Sequence, residues 1–170
     1  WSEKNTKAVI CYLPLSGIFV GSVFYLWRLL CIAVQLNISL FAVVAVIIPI
    51  VITGGLHMDG FLDVADAISS HQTRERKLEI MKDSHVGAFA VIWCSVYLLL
   101  SFGLYSALYE RGGFWVISVG FILSRSLCAL SALTLPNVRK EGLLFTFNRQ
   151  SKNTWAKSIM CALALICIYG

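Results

Sequence analysis

The chain of 170 residues is 58% hydrophobic and only 14% charged, with a net charge of +5 and a mean hydropathy of +0.78. A soluble domain is nearer half apolar and a quarter charged, so a water-soluble fold is excluded. The surplus of Lys and Arg then reads as membrane topology rather than as affinity for nucleic acid.

Only helices or closed barrels satisfy their backbone groups in lipid. The apolar runs are too long and continuous for barrel strands, which take about ten alternating residues. An all-α, polytopic integral membrane helix bundle is therefore expected, with 1–170 as a single membrane-embedded domain. The first residue is Trp1, not Met, and Gly170 lies inside an apolar run, as expected of a fragment. Six cysteines (Cys11, Cys31, Cys94, Cys128, Cys161, Cys167) are scattered singly without a C-x-x-C pair, which suits small packing residues rather than a metal or redox site.

In chain order, residues 8–30 form a first span, long enough for a bilayer core that takes about 20 helical residues. Gly17 and Gly21 make a small-x-x-x-small pair suited to close helix contact. A second span covers 38–53, and Pro49 is expected to bend it. Residues 54–85 form a polar loop containing short interfacial helices. Spans over 86–109 and 114–135 follow, with a tight turn at 110–113 between them. A second polar loop covers 136–157, and a fifth span begins within 154–170.

The polar island at 54–85 holds six of the nine acidic residues: Asp59, Asp63, Asp66, Glu75, Glu79 and Asp83. Asp59, Asp63 and Asp66 are spaced i, i+4, i+7, which places three carboxylates on one helix face. Like charges at that spacing repel, so a positive partner is expected against them. Hard oxygen donors without nearby Cys or paired His suit Mg²⁺ or Mn²⁺, completed by water and substrate phosphates. A solvated acidic face is the bland alternative. The setting argues against it: Gly54, Gly55 and Gly60 allow close backbone approach, and Arg74, Arg76, Lys77 and Lys82 follow within a few turns.

Basic residues orient the bundle. With the N-terminus in the cytoplasm, eleven of the fourteen Lys and Arg residues lie inside: Lys4, Lys7, Arg74, Arg76, Lys77, Lys82, Arg139, Lys140, Arg149, Lys152 and Lys157. The acidic island and the second basic loop then share the cytoplasmic face of the inner membrane. Arg125 falls half way along its span, where a charge is expensive and usually faces a cavity or a partner. Snorkelling is the alternative.

Carboxylates, a metal and nearby cations are the equipment of phosphoryl transfer, in which catalysis is positioning plus charge neutralisation. Metal candidates are Asp59, Asp63, Asp66 and Asp83. Catalytic candidates are Asp59, Asp63, His57 and Arg125, with a carboxylate or His57 as base. Arg74, Arg76, Lys82, Arg139 and Lys140 are candidates for substrate phosphates, against the alternative of a solvated basic loop. One metal or two remain open at this point.

The string Gly54-Gly55-Leu56-His57-Met58-Asp59-Gly60-Phe61-Leu62-Asp63-Val64-Ala65-Asp66, followed by residues 74–89 with Lys82-Asp83-Ser84-His85-Val86-Gly87, resembles the signature of the cobalamin 5′-phosphate synthase family, also called adenosylcobinamide-GDP ribazoletransferases. Pro14-Leu15-Ser16-Gly17, Ser124-Arg125 and 136–143 resemble its other elements. Ala67 stands where the family usually has Gly, and His85 where it often has Arg. The resemblance implies Mg²⁺-dependent transfer from adenosylcobinamide-GDP to α-ribazole or its 5′-phosphate, with release of GMP. It implies small-molecule substrates and a lipid bilayer as partners, no nucleic acid, and leaves open a homo-oligomer or an assembly with other cobalamin-pathway enzymes. A CDP-alcohol phosphotransferase is a rival, but its D-G-x-x-A-R pattern is unmatched by Asp59-Gly60-Phe61-Leu62-Asp63-Val64. A cation transporter would place acids within the spans, and none of the nine lies there.

Overall fold

A computed structural model of the chain describes residues 12–111, 114–135 and 161–162. The elements named among these residues are all helical: α1 Leu13–Ala33, α2 Ile38–Ile52, α3 Leu56–Ser69, α4 Arg74–Ile80, α5 Ala88–Leu108 and α6 Trp115–Thr134. Helices α1, α5 and α6 are long and apolar enough to cross a membrane. This is a multi-pass membrane helix bundle; α1, α5 and α6 fall on three of the apolar runs read as spans, and α2 falls on a fourth but is long enough to cross only together with α3, as a bent pair. The 136–157 loop, with Arg139 and Lys140, lies outside the described residues, as does nearly all of the 154–170 span.

Two compact units divide the chain at Tyr25/Leu26 and at Gly112/Gly113, so α1 contributes to both. In one unit, the first half of α1 packs on α6. Gly17 and Gly21 bring the backbones together: a Cβ on Gly17 would stand 2.7 Å from the Phe121 carbonyl oxygen, and one on Gly21 2.5 Å from that of Ser118. Helices in lipid gain most of their association from such close packing. Phe24, fully buried, stacks on Phe114 with centroids 5.2 Å apart and meets Phe121 edge-on at 5.3 Å.

In the other unit, α2 and α3 both pack on α5, and α4 on α3. The buried side of α2 is Phe41, Ala42, Ala45, Val46 and Pro49, a helical stripe of mostly small residues. The Trp27 indole donates to the Phe41 carbonyl at 3.1 Å, Arg28 donates to the Tyr109 carbonyl at 3.3 Å, and the Phe41 and Tyr109 rings lie 4.5 Å apart. Leu40, Val43, Ile47 and Val51 face outward, as a lipid-facing stripe should.

The 92° bend between α2 and α3 falls at Gly54-Gly55, not at Pro49. Helix α2 runs through Pro49 to Ile52. It ends where the Gly55 N–H reaches the Ile50 carbonyl at 2.8 Å and the Gly54 N–H reaches that of Val51 at 3.0 Å, the Schellman pattern that satisfies the last carbonyls of a helix. The Thr53 hydroxyl donates to the Pro49 carbonyl at 2.7 Å. Both glycines have positive φ, 60° and 75°, a conformation side chains disfavour by about 1–2 kcal/mol. Ala67 is 2% exposed within regular helix, so no turn is needed where the family usually has Gly.

Replacing Gly21 with Ala should separate α1 from α6 and destabilise the full chain in detergent by about 1–3 kcal/mol. A thermal midpoint equal to wild type would show that the two helices do not pack this closely.

Candidate active site

Helix α3 begins at the glycine corner and lies on α5, held by the Phe61–Tyr97 ring contact at 5.8 Å and by the Trp93 indole donating to the Ser69 hydroxyl at 3.3 Å. Its apolar residues Leu56, Phe61, Val64 and Ile68 are exposed. Its acidic side, Asp59, Asp63 and Asp66, lines a cleft of about 310 Å³ closed by the segment 80–87 and by Ala90 of α5. The i, i+4, i+7 spacing has thus put all three carboxylates on one wall.

The opposite wall is the connection from α4 to α5, with Ile80, Met81, Lys82, Asp83, Ser84, His85, Val86 and Gly87. Helix α4 is capped at its start by the Thr73 hydroxyl, which accepts from the Arg76 N–H at 3.4 Å. The chain leaves it through Lys82 N–H to the Glu79 carbonyl at 2.9 Å and Asp83 N–H to the Ile80 carbonyl at 3.0 Å. Asp83 Oδ1 then accepts from the His85 N–H at 3.0 Å and contacts His85 Nδ1 at 2.6 Å, a local Asp turn. These bonds to His85 hold the Asp83 carboxyl below its ordinary value.

Asp59, Asp63 and Asp66 thus face the Lys82 ammonium across the cleft, and Asp83 lies beside it on the second wall. Among the described residues no three Asp, Glu, His or Cys side chains are close enough to form a ready-made metal cage. The donor set is nonetheless hard and anionic, and fits an ion such as Mg²⁺ that binds through one or two carboxylates and keeps water and substrate oxygens in its shell. His57, Arg74 and Arg76, also expected from sequence, do not line the cleft. Arg76 pairs with Glu79 at 2.6 Å on an exposed helix face, an interaction worth little. Arg125 is 9% exposed inside α6, in the other unit. The sequence does not single out Ser84, His85, Gly87 and Ala90 as site residues. Ser84, His85 and Gly87 lie in the Asp83-Ser84-His85-Val86-Gly87 string quoted above, which is the one signal that points to them.

The sequence profile described as cobalamin-5-phosphate synthase matches residues 1–170. A relative from Lachnoclostridium phytofermentans, named adenosylcobinamide-GDP ribazoletransferase, is 38% identical over 170 residues, covering 100% of this chain and 65% of the relative. One from Clostridium botulinum with the same name is 36% identical and covers 99% and 67%. Another from Desulfitobacterium hafniense is 35% identical over 157 residues, covering 90% and 61%. The chain therefore spans about two thirds of the length of these curated relatives. No solved structure matches. With the profile match running from end to end and the acidic cleft built from the strings that carry the resemblance, the chain belongs to the cobalamin-5-phosphate synthase family.

Proposed function

We propose that this chain carries the metal site of a transferase that joins adenosylcobinamide-GDP to α-ribazole or α-ribazole 5′-phosphate, yielding adenosylcobalamin or its 5′-phosphate and GMP. The observation that carries this reading is the convergence of Asp59, Asp63, Asp66 and Asp83, from two separate segments, on one cleft with Lys82. Adenosylcobinamide-GDP and the transfer of a ribazole group stand in the names of the relatives; the 5′-phosphate form and the release of GMP are what the family resemblance implies.

Asp59, Asp63, Asp66 and Asp83 would hold Mg²⁺. When bound, the ion supplies positive charge to the oxygens of the diphosphate, the main catalytic need of phosphoryl transfer. Lys82 adds a mobile positive charge on the wall that carries Asp83. In the transfer step a ribazole hydroxyl oxygen forms a bond to the cobinamide-side phosphorus, the bridging P–O bond breaks, and GMP leaves with the electron pair. The hydroxyl proton passes to a carboxylate of α3 or to His57 at its first turn. Arg74 and Arg76, on α4, are proposed to meet substrate phosphates farther from the reacting centre, and Arg139 and Lys140 to do the same from the second loop. Arg125 is proposed to serve the reaction from α6, since a buried charge at mid-span is costly to keep without a role. The bias of Lys and Arg supports a site facing the cytoplasm from the inner membrane.

Asp63→Asn in the full chain, reconstituted in liposomes, should lower Mg²⁺-dependent GMP release by roughly 100-fold or more with insertion unchanged. Near wild-type turnover at saturating Mg²⁺ would remove Asp63 from the ligand set.

The pairing with His85 has a defined pH consequence. A carboxyl whose folded value is depressed stabilises the fold above its unfolded value, and loses that contribution as pH falls through the depressed one. For Asp83 this window lies below the ordinary 3.8, so Asp83 is anionic at neutral pH with or without its partner. His85→Ala should therefore leave the Mg²⁺ dependence of turnover unshifted between about pH 6 and 8. A displaced profile would mean that His85 itself gates the site.

A further inference from the structure

Gly87 lies against Asp66. A Cβ built on Gly87 overlaps both carboxylate oxygens of Asp66, so the carboxylate rests on the glycine Cα. The backbone there does not call for glycine: Gly87 has φ −81° and ψ 164°, ordinary extended geometry open to any residue. What glycine leaves here is the space that the Asp66 carboxylate occupies, and because that carboxylate ends a flexible side chain, a methyl group at 87 would displace it rather than the backbone.

The contact also has an electrostatic basis. Gly87 is the N-cap of α5, which has no side-chain cap and no acidic residue in its first turn. The positive end of that helix favours a nearby anion. Asp66 belongs to the last turn of α3, where its own helix disfavours a negative charge. Docking on α5 offsets that penalty and turns the carboxylate toward the cleft that both residues line.

We propose that Gly87 is a positioning residue for Asp66, its missing side chain letting the carboxylate seat on the start of α5 in the orientation that the metal site uses. The metal part of this inference rests on the reading above; the steric coupling of the two residues does not.

The test uses the full chain as wild type, Gly87→Ala, Asp66→Ala and the double variant, in detergent and in liposomes. Gly87→Ala should lower the thermal midpoint when Asp66 is present and leave it unchanged on the Asp66→Ala background, where the shortened side chain makes room for the methyl group. If Gly87→Ala alone fails to insert, recovery of insertion in the double variant reports the same coupling. Gly87→Ala should also weaken Mn²⁺ binding, followed by electron paramagnetic resonance, by about tenfold. It should raise the apparent KM for Mg²⁺ while kcat at saturating Mg²⁺ stays within about twofold. Equal losses of stability on both backgrounds, or no loss on either together with unchanged Mn²⁺ affinity, would overturn the proposal. Unchanged Mn²⁺ affinity beside a destabilised fold would also overturn it, leaving Gly87 a packing residue. Wild-type protein that binds no Mn²⁺ would refute the metal reading instead, and the thermal comparison would still decide whether Gly87 and Asp66 are coupled.

Discussion

Backbone carbonyls at the end of a helix in lipid must find donors within the protein, and the glycine corner after α2 is where this chain meets that demand. Gly54 and Gly55 close the last carbonyls of α2 while reversing the sign of φ, and the same two residues launch α3 at 92° to it. An apolar stripe that faces lipid is thereby followed, within three residues, by a helix whose acidic side faces a cleft. Without the corner, Asp59, Asp63 and Asp66 would continue along the axis of α2 with no wall opposite them.

Three carboxylates on one helix face repel one another, and the surroundings offset this in distinct ways. Asp59 lies in the first turn of α3, where the helix end favours an anion. Asp66 finds a second helix end at α5. Asp83, on the facing wall, is tied to His85. What remains is an excess of negative charge around a space open to water, which a divalent cation would relieve.

Much of this could be read from the chain itself. The bounds of α1, α2, α5 and α6 fall within a few residues of the apolar runs, because lipid selects on hydropathy over about 20 residues and little else. The three acids of α3 share a face because periodicity alone decides it. Pro49 looks like the breaker, but the helix runs through it and its stop comes from hydrogen bonds five residues further on. Arg74 and Arg76 stand near the acids in sequence, yet which side of α4 meets the cleft depends on how the 80–87 segment folds back. The contact between Asp66 and Gly87 joins residues 21 apart, and no local pattern encodes it.

Helix α2 has a further consequence through its length. Fifteen residues rise only about 22 Å, against a hydrocarbon core of about 30 Å. Either the bilayer thins around it or the corner sinks below the level of the headgroups. In the second case the mouth of the cleft stands in a medium of lower dielectric constant than bulk water, where opposite charges attract several-fold more strongly. In that case the shortness of one apolar helix would bear on how tightly its acidic neighbour holds a cation.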